Sequence, residues 1–220
     1  MYFILLASAS LLTLLCCDFF NKKTIAAACK LITSLSLVGY TISNVLTQNN
    51  FYSYCILIAI LICVIGDLLL ISQNKNRLAA GIIAFFLGHV FFIVAFFQLP
   101  FQYTEWLVSF GIMLVIGYQV YQWLKPNLTS SRLKLFVPIY MIILFAMTSL
   151  GLSIKIENEP TLVGLGATLF MVSDLFVAYN RFKKPQFHNR LIGLPLYYLG
   201  QFILATTVLH LQTNTYWLPV

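Results

Sequence analysis

The sequence predicts an all-α, polytopic membrane helix bundle of about eight transmembrane helices, with a suggested parallel repeat of four plus four. Three observations predict it. Hydrophobic residues make up 60% of the 220-residue chain and charged residues only 9%, against roughly a quarter charged in a soluble domain. The apolar residues fall in blocks of about 20, the length a helix needs to cross ~30 Å of hydrocarbon. No block alternates in the manner of a membrane strand, and only helices or closed barrels satisfy their backbone in lipid.

Taken in order, the expected spans are about 2–20, 25–46, 51–72, 78–98, 105–124, 134–154, 160–180 and 191–211. The first carries Asp18 and the Cys16-Cys17 pair near its end. It lacks the basic n-region and small-residue cleavage site of a signal peptide, so it is read as a mature helix. The second span carries Lys30, the third Asp67, the fourth His89 and the seventh Asp174. The sixth and eighth contain Pro138 and Pro195, which are expected to kink them. Short connections leave no room for a soluble domain, so residues 1–220 are read as a single integral membrane domain.

The net charge of +7 suggests nucleic acid until its distribution is read. Lys22, Lys23, Lys75, Arg77, Lys125, Arg132, Lys134, Arg181, Lys183, Lys184 and Arg190 all fall at the odd-numbered loops. The even loops hold Lys155 alone, and Lys30 lies within a span. The positive-inside rule then places the odd loops in the cytoplasm and both termini outside. The expected location is a bacterial inner (cytoplasmic) membrane, with the basic residues meeting anionic lipid head groups and no nucleic acid. Five cysteines in apolar surroundings form no C-x-x-C pair, and no metal site or cofactor is implied.

Asp67 and Asp174 are the acids well inside spans. A carboxylate there is expensive and by default marks function; the bland alternative is a structural acid capped by a neighbouring helix. Asp67 lies five residues before Ser72, and Asp174 seven before Arg181. At 1.5 Å per residue both sit roughly 8–10 Å below the same boundary. The stretch "VIGDLLLI" (64–71) also matches "MVSDLFVA" (171–178), and "FFLGH" (85–89) matches "YYLGQ" (197–201). A duplication of four helices brings the two acids to a shared interface. Two such carboxyls do not readily both ionise, which suits a protonated acid beside a carboxylate for general acid–base work. Lys30 is at nearly the same depth, as counter-ion, phosphate ligand or snorkelling residue. His89, its repeat partner Gln201, and Tyr197 are further candidates for contact with a substrate, each with packing as the alternative.

These motifs resemble the YhhN-type lysoplasmalogenase family, integral membrane alkenyl-ether hydrolases. The resemblance rests on "GDLLL" followed by "AAGIIAFFLGHVFFI", on "LFMVSDLFVAYNRF" and on "LPLYYLGQFILA". It implies that Asp67 and Asp174 are catalytic. It also implies hydrolysis of the vinyl ether bond of a lysoplasmalogen to a fatty aldehyde and glycerophosphocholine or glycerophosphoethanolamine. Where the family has Lys-Pro early in the second span, this chain reads "CKLIT", keeping Lys30 without the proline. Arg77 and Arg181, in loops 3 and 7, are expected to hold the phosphate. Two other classes compete. A proton-coupled transporter would use the same aspartate pair but needs a polar path across the membrane. An intramembrane aspartyl protease needs G-x-G-D, and Val64 breaks that motif.

Overall fold

A computed structural model describes residues 2–71, 74–128, 130–155 and 162–210. Among them are eight long helices: α1 (Tyr2–Phe19), α2 (Lys23–Gln48), α3 (Phe51–Ile71), α4 (Lys75–Phe96), α5 (Tyr103–Leu124), α6 (Ser131–Ser153), α7 (Leu162–Phe182) and α8 (Phe187–His210). Each is long and apolar enough to cross a bilayer. Large apolar side chains such as Leu12, Ile65, Val108 and Val115 face outward, which water would penalise and lipid does not.

Local chemistry sets the helix ends. Asn49 closes α2 in the left-handed region, its N–H donating to the Val45 carbonyl at 2.8 Å. Asn50 and Ser53 then open α3 reciprocally: Ser53 N–H donates to Asn50 Oδ1 at 2.8 Å, and Asn50 N–H to Ser53 Oγ at 3.2 Å. Asn74 caps α4 and Ser130 caps α6 with their side-chain oxygens. Pro138 and Pro195 lie within continuous helices. Pro138 has no N–H to offer the Lys134 carbonyl, and the Tyr121 hydroxyl donates to that oxygen instead, at 3.3 Å.

Neighbouring helices close a ring in the order α2, α3, α4, α6, α7, α8 and back to α2. Outside it, α1 lies against α2 and α8, and α5 lies against α6. Without a hydrophobic drive in lipid, helices gain by approaching closely over small residues. A Cβ on Gly200 would stand 2.8 Å from the Gly166 carbonyl oxygen, so α7 and α8 touch backbone to backbone there. At the matching place on α4, a Cβ on Gly88 would meet Cys63 Sγ of α3 at 2.6 Å. Buried Ile56, Ala59, Ile60, Phe92, Phe96, Ala167 and Leu204 fill the half of the ring remote from the basic loops.

Candidate functional site

The basic half of the ring encloses a cavity of about 150 Å³. Lys30, Asp67, Asp174, Arg181 and Tyr197 line it, together with Tyr140 of α6, Asn180 near the end of α7, and Asn189 and Arg190 in the first turn of α8. Its other wall is apolar, from Leu78 and Ile82 of α4, Val120 of α5, and Val137, Met141 and Phe145 of α6. Both intramembrane carboxylates therefore face one space.

Their environments differ. Asp67, 4% exposed, is surrounded by donors. Lys30 Nζ pairs with Oδ1 at 2.8 Å. The Tyr197 hydroxyl donates to Oδ2 at 2.9 Å and the Ser34 hydroxyl at 3.3 Å. Ser34 also shares a hydrogen bond with the Tyr198 hydroxyl at 3.0 Å. Two helices, α2 and α8, thus converge on this one side chain of α3. Asp174 has no Lys or Arg in ion-pair contact among the described residues. The Tyr140 hydroxyl donates to its Oδ2, and His89 Nε2 stands 3.7 Å from that oxygen. His89 is fully buried, with Nδ1 at 2.5 Å from the Phe85 carbonyl and, among the described residues, no hydrogen-bond partner for Nε2. Phe170 packs against both Tyr197 and His89, its ring centroid 5.2 Å from that of Tyr197 and 4.8 Å from that of His89.

The other sequence candidates are placed plainly. His89 does not line the cavity; it stands behind Asp174. Gln201 is fully buried, neither amide atom has a hydrogen-bond partner among the described residues, and it is not among the lining residues. Arg77 is exposed on the first turn of α4, also off the lining. Arg181 lines the mouth, where its guanidinium donates to the Leu70 carbonyl and ties α7 to the end of α3. Sequence reasoning missed Tyr140 and Ser34, and read Arg190 only as one of the loop 7 cations. Tyr140 was accessible by depth: it lies nine residues from the start of α6 and Asp174 eight from the end of α7, so both sit ~12–14 Å in. Arg190 gave no such signal, because its bond to Asp18 Oδ2, 2.7 Å from Nε, joins residues 172 apart in the chain.

Comparisons with known proteins identify relatives over most of the chain. Lysoplasmalogenase TMEM86A of Bos taurus is 30% identical over 156 residues, covering 68% of this chain and 63% of the relative. Lysoplasmalogenase TMEM86B of Homo sapiens is 28% identical over 203 residues, covering 88% and 83%. The chain thus matches less than two thirds of the length of the bovine TMEM86A protein. No solved structure matches it. The YhhN family matches residues 25–208, from the start of α2 almost to the end of α8 and so including every helix of the ring: the chain belongs to the YhhN family.

Proposed function

We propose that this protein is a membrane lysoplasmalogenase, hydrolysing the vinyl ether bond of a lysoplasmalogen with Asp67 and Asp174. The observation that carries the reading is the single cavity in which two carboxyls stand between a polar, basic mouth and an apolar wall. That polarity matches a single-chain lipid, whose vinyl ether lies just below its head group. Relatives named lysoplasmalogenase support it from a second side.

Protonation of the vinyl ether β-carbon by a carboxyl leaves an oxocarbenium ion and a carboxylate. Water adds to the cationic carbon and gives its proton to a carboxylate, forming a hemiacetal. The hemiacetal loses its hydroxyl proton, its bond to the glycerol oxygen breaks, and that oxygen takes a proton. The balance is one vinyl ether and one water to one aldehyde and one alcohol. A cavity of about 150 Å³ holds the reacting segment, while drug-sized ligands need roughly 300–1,000 Å³; the remainder of the chain stays in the bilayer. A transporter reading is not favoured, since buried apolar side chains fill the half of the ring beyond the site.

Purified protein given a lysoplasmalogen is expected to release a long-chain aldehyde. The saturated ether and the ester analogue are expected to be inert, because neither has a β-carbon that yields an oxocarbenium ion. In oxygen-18 water, mass spectrometry of the freed glycerophospho-alcohol should find no label in its new hydroxyl. Label there means cleavage on the glycerol side and sinks the mechanism.

The four-plus-four repeat belongs to the same reading. Advancing each helix by four carries the α2–α3, α3–α4 and α4–α6 neighbours onto α6–α7, α7–α8 and α8–α2, which supports it. The charge bias supports cytoplasmic odd loops with both termini outside. Lys184 is exposed in the α7–α8 turn. With Lys184→Cys in a cysteine-free background, intact cells are expected to show labelling by membrane-permeant thiol reagents only. Reaction with an impermeant reagent overturns the orientation.

A further inference from the structure

The two acids are equivalent in sequence but not in surroundings, and their neighbours apportion the protons. Asp67 faces a lysine ammonium at 2.8 Å and two hydroxyl donors. Every one of these favours a carboxylate, and a proton on Asp67 would leave the buried Lys30 cation without its counter-charge. Asp174 also has a hydroxyl donor, Tyr140, but no cation in ion-pair contact among the described residues. The Phe85 carbonyl can only accept, so the hydrogen on the His89 ring sits on Nδ1. Nε2 of a neutral imidazole then turns a lone pair toward Asp174 Oδ2. A carboxylate opposite that lone pair would be repelled. An imidazolium–carboxylate pair would place two charges in an apolar interior at 3.7 Å, too far for the hydrogen bond that offsets such burial. A neutral carboxyl beside a neutral imidazole avoids both costs.

From this geometry we propose that Asp174 holds the reactive proton, positioned by Tyr140 and His89, while Asp67 remains an anion fixed by Lys30, Tyr197 and Ser34. The inference rests on the vinyl ether reading for its chemical meaning. Asp174 then donates the proton to the β-carbon and takes one back from the attacking water. Asp67 stays ionised and stabilises the oxocarbenium ion across the cavity. Tyr140 and His89 are positioning residues, because they act through Asp174. The groups facing Asp174 are Cys63 and Asp67 from α3, His89 from α4, Tyr140 from α6 and Tyr197 from α8. Beyond Asp67, none of these carries a charge in this assignment; of the cations that share the cavity, Lys30 pairs with Asp67, Arg190 pairs with Asp18, and Arg181 donates to the Leu70 carbonyl.

Infrared spectroscopy tests the assignment without any substrate, so its failure is separable from failure of the aldehyde assay. A protonated carboxyl has a carbonyl stretch distinct from a carboxylate's, and the band shifts in heavy water. The wild-type protein in lipid is expected to show this band. Asp67→Asn should keep it and Asp174→Asn should lose it. Tyr140→Phe leaves every carboxyl in place and should move the band by removing the hydrogen bond to Oδ2. No band in the wild type, its loss in Asp67→Asn, or an unmoved band in Tyr140→Phe overturns the proposal.

Discussion

Asp174→Asn is expected to lower the rate of aldehyde release by about 10²–10⁴-fold, the range that a positioned general acid contributes. Asparagine keeps the shape and can still accept from the Tyr140 hydroxyl, so the bundle should fold. It has no acidic proton to give the β-carbon. An interaction used in the transition state and not in ground-state binding is lost from kcat, with KM little changed. Asp67→Asn should also fall in kcat, because the oxocarbenium ion loses its counter-charge. The two losses should not add when combined, since both residues serve one transition state. Steady-state kinetics on the purified variants check this, and near-normal turnover in Asp174→Asn removes that residue from the chemistry.

The membrane fold was legible because its signals are local. Apolar length fixed eight helices to within a few residues at most ends, and the loop charges fell at alternate turns. Single polar residues in apolar runs marked Asp67, Asp174 and Lys30 for the same reason: each is costly where it stands, whatever its neighbours. The partners of those residues were less legible. Ser34 and Tyr140 are ordinary in a membrane helix, and only the ring order that sets α2 beside α3 and α6 beside α7 turns them toward the acids. Asp18 reads as a solvated interfacial charge in the sequence, yet it holds Arg190 at the cavity mouth. Gln201 shows the converse limit. Its repeat relation to His89 suggested a role at the site, but the residue sits away from the cavity lining.

Lys30→Met is expected to destabilise the folded protein by about 3–5 kcal/mol, the cost of removing one partner from a buried ion pair. The side chains are 13% and 6% exposed, so water screens little of the charge left on Asp67. Tyr197 and Ser34 still donate to it, but two hydroxyls do not replace a cation. Methionine fills nearly the same volume as the lysine stem, so packing loss adds little. The double variant Lys30→Met with Asp67→Asn removes both charges and keeps an acceptor for Tyr197. It should therefore regain most of the lost stability while remaining unable to turn over substrate. Unfolding midpoints of the wild type, both single variants and the double variant in one detergent complete the cycle. If Lys30→Met unfolds at the wild-type midpoint, Asp67 is not an obligate anion. The division of labour between the two aspartates would then have to be reversed or abandoned, although the vinyl ether chemistry itself would stand.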